Sequence, residues 1–207
     1  YRNTLWSCFI LFRCVMNSSW QLWEKGVSDE VLEKILEVTN KLKLEEAQVG
    51  TGARPITDSN TRRSKTGFLN ALNPEHENIY ALCTNFFYQA NTNAFGVNLS
   101  RLSDIQYTEY HAEDEGFYTM HQDCFLESEK LIDRKLSLTI QLSDPDEYEG
   151  GDFVFDTAFV NTRPDRRLLK QKGAVLVFPS FMTHKVEPVT KGIRKSLVAW
   201  IDGPCWR

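Results

Sequence analysis

Two rhythms of hydrophobic residues divide the chain. Val31, Leu32, Ile35, Leu36, Thr39 and Leu42 recur at helical spacing and predict an amphipathic helix over 29–43, with Ser28 as N-cap and Asp29 and Glu30 in its first turn. Asn73-Pro74-Glu75 reads as a second helix N-terminus, with proline at the first helical position. Its apolar stripe is Ile79, Leu82, Cys83, Phe86, Phe87 and Ala90. Between the two helices, Gly50, Gly52 and Pro55 mark a loop, and 63–69 reads as extended. From about residue 95 the rhythm changes to short runs separated by turns, with strands predicted at 95–100, 104–111, 116–123, 135–142, 152–156, 174–178, 183–189 and 194–201. The turns between them carry Asp144-Pro145, Gly150-Gly151, Gly173, Pro179-Ser180 and Lys191-Gly192. The expected class is therefore mainly β with flanking α-helices. A set of about eight short strands suggests a sandwich or barrel, and the jelly roll is the eight-strand solution.

No repeat, low-complexity tract or linker interrupts the pattern, so 16–207 is expected to be one domain. Residues 1–15 read differently. Their apolar run from Leu5 to Phe12 is too short to cross a bilayer, and it precedes Met16. They are expected to be a peripheral N-terminal segment, upstream of the domain or foreign to it.

Composition narrows the classes. With 42% hydrophobic and 25% charged residues the chain is ordinary globular protein, and its net charge of −4 without a long basic stripe argues against a nucleic-acid partner. The clusters Arg62, Arg63, Lys65 and Arg163, Arg166, Arg167, Lys170, Lys172 read as solvated loop charges. Five cysteines, odd in number and without a C-x-x-C pair, fit a reducing compartment; the expectation is cytoplasmic, with no membrane association. Cys124 is expected to serve packing.

The candidate chemistry lies at the centre, in Tyr118-Thr-Met-His121-Gln-Asp123, with His184 and Arg194 further on. On a strand, residues two apart share a face, so His121 and Asp123 point the same way. One more imidazole completes two His and one carboxylate, a set that occupies one face of an octahedral ion and leaves three positions open. A lone His-x-Asp carries little weight by itself. Alternation also puts Arg194, Ser196, Val198 and Trp200 on one face. An Arg inside a barrel needs an anionic partner; either an internal Asp or Glu supplies it, or the carboxylate of a ligand does, with the Ser196 hydroxyl adding a bond. In 136–142 the leucines and Ile140 form an apolar face, while Ser137, Thr139 and Gln141 form a polar one that is either exposed or lines a wet pocket.

Taken in order, these motifs resemble the 2-oxoglutarate- and Fe(II)-dependent dioxygenases of the prolyl 4-hydroxylase-like group. The likeness runs over most of 20–205. It rests on Tyr118-x-x-His121-x-Asp123, Leu142-Ser-Asp-Pro-Asp146 leading to Gly150-Gly-Asp152, Gly173 to Ser180, His184-x-Val-x-Pro188, Arg194-x-Ser196 and Val198-Ala-Trp200, with Arg63-Ser64 and Gln106 to Tyr110 upstream. The resemblance implies a double-stranded β-helix with Fe(II) held by His121, Asp123 and His184. It implies Arg194 and Ser196 on the distal carboxylate of 2-oxoglutarate, Tyr110 and Gln141 bordering the co-substrate, and Tyr118 and Trp200 as pocket walls. Gln141 stands where relatives often carry an aromatic residue, which puts its contact in question. The implied reaction consumes O2 and 2-oxoglutarate, releases succinate and CO2, and hydroxylates a substrate, with ascorbate as a candidate reductant. A prolyl residue of a peptide or protein is the expected substrate. The alternatives are a free amino acid or small metabolite and, from another class, a non-catalytic metal-binding jelly roll. Nucleic-acid demethylases usually carry a second Arg where this chain has Trp200. The segment 49–62 with Arg63 and Ser64 is either a plain surface loop or part of a substrate lid.

Overall fold

The computed structural model describes residues 14–16, 19–50, 56–125, 131–156 and 163–206. Its strands are β1 (Cys14–Met16), β2 (Gln21–Trp23), β3 (Glu45–Glu46), β4 (Arg62–Arg63), β5 (Lys65–Phe68), β6 (Leu102–His111), β7 (Phe117–His121), β8 (Ile132–Gln141), β9 (Tyr148–Gly150), β10 (Phe153–Phe155), β11 (Val175–Pro179), β12 (His184–Val186) and β13 (Val189–Pro204). The larger sheet runs β1-β2-β11-β8-β13-β6-β5-β3, with β9 also paired to β13, and the smaller runs β10-β12-β7-β4. From β6 onward, β9 aside, strands that follow one another in sequence alternate between the facing sheets, and this is the jelly roll expected from the strand pattern.

The helices α1 (Asp29–Thr39) and α2 (Glu77–Ala90) cover the outer face of the larger sheet. Leu32, Ile35, Cys83, Phe86 and Phe87 pack there against Ile105, Tyr107, Leu136, Leu138, Ile140, Val175, Val177, Leu197 and Ala199, nearly all of them fully buried. The main apolar core thus lies outside the barrel, between sheet and helices. The opposite faces of the same strands turn inward, so Ser137, Thr139 and Gln141 belong to the interior and not to solvent; Ser137 and Gln141 are buried.

Several expectations differ from the structure, and the short strands β1, β2, β3 and β9 have no counterpart among them. The first helix ends at Thr39 and not at 43. Leu42 still continues its stripe because the following turn, closed by Leu42 N to Thr39 O at 3.0 Å, keeps it against the core. The segment 95–100 is not a strand. Past α2 the chain makes a π-turn over Asn91–Phe95 that ends at Gly96 in the left-handed region (φ +59), and the Asn91 side chain bonds both the N–H (2.9 Å) and the carbonyl (3.0 Å) of Val97. That amide takes the place of a partner strand. The basic stretch near Arg166 is no plain loop either: it forms the one-turn helix α3 (Arg166–Leu169), capped by Asp165, and Arg166 and Lys170 both pair with Asp152 (3.1 and 2.7 Å).

At the N-terminal side, β1 pairs with β2 as an edge strand; the remainder of the expected 1–15 segment lies outside the described residues. So do residues 51–55 of the expected lid, whose flanks are bridged at Val49 and Ile56. Among the described residues no helix is long and apolar enough to cross a membrane.

Candidate active site

Strand register assembles the site. On the smaller sheet His184 pairs directly with His121, and Val186 with Tyr118. On the larger sheet Arg194 lies beside Tyr110, Ser196 between Thr108 and Gln141, Val198 between Gln106 and Thr139, and Trp200 beside Ser137. Between the two inner faces lies a pocket of about 470 Å³, counted with the solvent space at its mouth, lined by His121, Asp123, His184, Arg194, Ser196, Tyr110, Tyr118 and Trp200 among others. Gln141 lies elsewhere. It lines a smaller cavity with Arg194 and Thr139, and its Nε2 donates to the Tyr148 hydroxyl at 3.0 Å.

The strand that carries His121 stops there, so Asp123 reaches the site from a turn and not, as the alternation predicts, from the strand itself. Its backbone N–H donates to Ser180 O at 2.9 Å, which fixes the turn. Ligand atoms of His121, Asp123 and His184 all lie within 4.8 Å of one another. The Nε2 atoms of His121 and His184 stand 3.6 and 3.7 Å from the two Asp123 oxygens. Each imidazole uses Nδ1 on a backbone carbonyl, His121 on Thr119 and His184 on Met182, both at 2.8 Å. That bond assigns the proton to Nδ1 and leaves the Nε2 lone pairs converging. Burial, reinforced by the neighbouring His184, lowers the His121 pKa to about 3, so its ring is neutral. Burial alone would raise the Asp123 carboxyl, but the two imidazoles and the Ser137 hydroxyl outweigh it and hold it below the usual range. The Trp200 indole N–H lowers it further without forming a hydrogen bond of ordinary geometry. Ser137 Oγ donates to Asp123 Oδ2 at 2.7 Å and itself meets Ser180 Oγ at 2.9 Å. Aromatic rings clamp the imidazoles: Tyr118 stacks on His121 with centroids 3.5 Å apart, and Phe153 on His184 at 5.1 Å.

Arg194 is 5% exposed, and no carboxylate among the described residues lies within ion-pairing distance of it. Its Nη1 donates to Ser196 Oγ at 3.4 Å, and its guanidinium stands 5.6 Å from the Tyr110 ring centre. Among the described residues, then, no internal Asp or Glu supplies the partner that was one of the two explanations open from sequence. The donor set fits what the resemblance implies: two imidazoles and one carboxylate with an open face, and an unpaired guanidinium with a hydroxyl beside it.

Residues 105–202 match the model of the 2OG-Fe(II) oxygenase superfamily. This stretch belongs to that superfamily. It contains every residue named above for the triad and for Arg194 and its neighbours. The chain is 38% identical over 87 residues to a PKHD-type hydroxylase of Thermosynechococcus vestitus, which is 41% of this chain and 37% of that relative. It is 40% identical over 75 residues to one from Stutzerimonas stutzeri, 36% of this chain and 31% of the relative. The chain thus spans about a third of the length of the curated relatives it matches. A Pseudomonas putida prolyl-4-hydroxylase shares the oxygenase fold at TM-score 0.64 with 16% identity, covering 88% of this chain and 91% of that one. A Trichoplax adhaerens prolyl hydroxylase, solved with a hypoxia inducible factor peptide fragment, shares it at TM-score 0.68 with 14% identity, covering 89% and 84%.

Three features escaped the sequence. Ser137 was visible only as one of a polar face, and its partner Ser180 only as a turn residue. Tyr148, buried behind Gln141 and Arg194, sits in a segment that reads as turn. Arg62, taken above for a solvated charge, is 9% exposed and lines the cavity; nothing in a run of basic residues marks one of them as buried.

Proposed function

We propose that this chain is an Fe(II)- and 2-oxoglutarate-dependent hydroxylase that acts on a prolyl residue of a peptide or protein. The observation that carries the reading is the convergence of His121, Asp123 and His184 in a cavity that also holds the unpaired Arg194. His121 Nε2, His184 Nε2 and the Asp123 carboxylate would hold the metal on one face. Arg194 and Ser196 would hold the distal carboxylate of the co-substrate, a charge-assisted contact suited to the planar guanidinium. When bound, Fe(II) with 2-oxoglutarate supplies the power to insert one atom of O2 into a C–H bond as succinate and CO2 leave. The protein orients the reactants, and Tyr118, Phe153 and Trp200 exclude water around them. Cys83 and Cys124 are thiols buried in the fold, which supports a reducing, cytoplasmic setting.

A peptide is favoured over a small metabolite because the metal cavity is continuous with a solvent-open outer groove that shares Arg62, Tyr118, His121, Asp123 and Trp200 with it. The names of the relatives and of the solved structures support prolyl as the target. The test is purified protein with Fe(II), 2-oxoglutarate, O2 and ascorbate as added reductant, assayed for succinate and, by mass spectrometry, for oxygen added to prolyl peptides. His184→Ala abolishes succinate formation, and Arg194→Ala raises the 2-oxoglutarate requirement at least tenfold. Succinate formation that survives His184→Ala refutes the metal assignment. Oxygen added to free amino acids and not to peptides selects the small-molecule alternative, and no succinate at all selects the non-catalytic jelly roll.

A further inference from the structure

A second buried guanidinium faces this cavity. Arg62, on the edge strand of the smaller sheet, is 9% exposed and lines both the metal cavity and the outer groove. Its Nε donates to Ser64 Oγ at 2.7 Å, and its Cζ stands 4.6 Å from the Tyr118 ring centre. Tyr118 in turn stacks on His121, so a single ring separates this guanidinium from a residue of the triad. The other cations at this end of the molecule are neutralised: Lys43 by Glu45 (2.8 Å), Arg63 by Glu115 (3.1 Å), Lys65 by Asp114 (3.7 Å) and Arg134 by Asp104 (3.7 Å). Among the described residues, Arg62 has no carboxylate within that range and its Nη groups have no hydrogen-bond acceptor.

A guanidinium this buried is costly without an anion, and its fork is shaped for a carboxylate. Ser64 and Tyr118 fix the stem and one side of the plane, which leaves the Nη edge to the cavity. We infer that Arg62 is a subsite for a substrate carboxylate, so that the substrate is a prolyl unit bearing a negative charge next to the reacting ring. One residue advances a chain about 3.8 Å, so a carboxylate one ring away from the triad belongs to the reacting residue or to its immediate neighbour. This rests on the hydroxylase reading above and adds to it a charge requirement at a second, independent guanidinium. Arg194 serves the co-substrate; Arg62 serves the substrate.

The experiment titrates the anaerobic Fe(II)/2-oxoglutarate protein calorimetrically with matched prolyl probes: a carboxy-terminal proline against its amide, Asp against Asn just before the proline, and Asp against Asn just after it. The expected result is one acidic probe that binds at least tenfold more tightly than its neutral twin. Arg62→Gln brings that ratio to within twofold while affinity for the neutral twin and for 2-oxoglutarate stays within threefold. The inference is overturned if acidic and neutral twins bind alike or if none binds. It is also overturned if the preference survives Arg62→Gln, or if both twins weaken equally, since Arg62 then only props Tyr118. Should Arg62→Gln fail to fold, Arg62→Lys gives the same readout: charge retained, fork lost, and a preference reduced at least threefold. An unchanged preference in that variant overturns the inference as well. Loss of succinate formation in the wild-type protein would instead strike the hydroxylase reading, so the two failures are distinguishable.

Discussion

Ser137→Ala isolates the support of the metal site from the metal ligands themselves. Ser137 lies on the inner face of the central strand β8, fully buried, and donates to Asp123 Oδ2 at 2.7 Å. Among the described residues it makes the one formed side-chain hydrogen bond to that carboxylate. A hydrogen bond to a charged group contributes about 1.5–3 kcal/mol, and each 1.4 kcal/mol is about tenfold in affinity. Losses of about 10–100-fold are typical when a partner that orients a metal ligand is removed. The expected outcome is a metal affinity weaker by about tenfold to a hundredfold, with the metal-free protein destabilised by clearly less than binding is weakened, because alanine fits where a serine was. Ser180→Ala removes only the hydroxyl behind Ser137, 2.9 Å from it, and costs a few-fold. The two changes share one network, so the double variant falls short of the sum. The assay is competition for Mn(II) or anaerobic Fe(II) against a chromogenic chelator, alongside thermal unfolding of the apo-protein. Affinity unchanged within twofold in a folded Ser137→Ala protein refutes the reasoning. So does an apo-protein destabilised as much as binding is weakened, which would make Ser137 a packing residue.

Other positions give independent checks. Phe87→Ala empties a fully buried site between α2 and the larger sheet and costs about 3–5 kcal/mol in denaturant unfolding; a loss below about 1.5 kcal/mol would contradict that packing. Gly151 sits at φ +62, and an added Cβ there would press on Arg194 Cδ, so Gly151→Ala lowers stability by about 1–3 kcal/mol and weakens 2-oxoglutarate binding measured by calorimetry; intact binding would displace Arg194 from its role. Burial raises the Asp202 carboxyl above its ordinary value, more than Ser103, Arg134 and Arg101 lower it. A raised folded-state pKa means that stability is fullest below the unfolded value and is lost as pH rises through the folded one. Asp202→Asn therefore stabilises at pH 7, with the advantage fading as pH falls through the carboxylate range, and a pH-independent difference in melting temperature would refute this. Burial pushes the Cys83 thiol up to about 12 and, with Asp133, Cys124 up to about 11, so neither alkylates in the native protein at pH 8; rapid labelling of either, read by mass spectrometry, would count against their burial.

How legible the sequence was depends on how local each signal is. Helix stripes and strand alternation are local, and they located α1, α2 and the strands from β4 to β13 except β9, while the short strands β1, β2, β3 and β9 left no legible pattern. The segment 95–100 failed because a single amide, Asn91, substitutes for a partner strand, and nothing in the local pattern distinguishes the two. Asp123 was found by a spacing rule whose premise was slightly off, since the strand ends two residues earlier and a backbone bond to Ser180 brings the carboxylate back. Arg62 and Arg63 are adjacent and identical in sequence, yet one is buried against Tyr118 and the other pairs with Glu115 at the surface. Strand alternation separates their faces, but only the assembled barrel says which face is inside.

That assignment of faces explains why stability and chemistry coexist in so few strands. In β8, Leu136, Leu138 and Ile140 meet the helices, while on the other face Ser137 bonds Asp123, Thr139 lines the metal cavity and Gln141 the smaller cavity beside it. In β13, Leu197, Ala199 and Ile201 join the core, while Arg194, Ser196 and Trp200 face the site. Because the apolar surface is buried on the outer side, the interior is left free for two unpaired guanidiniums, a carboxylate and a row of hydroxyls. Substitutions on one face should therefore change unfolding free energy with little effect on ligand affinity, and those on the other face the reverse. Leu138→Ala and Thr139→Ala, adjacent in sequence, are the sharpest pair for that separation. The first removes a fully buried side chain and costs about 2–5 kcal/mol of stability. The second leaves the core intact and alters only what the cavity holds. If both changes lowered stability alike and left 2-oxoglutarate affinity untouched, the division of labour between the two faces of the sheet would be wrong.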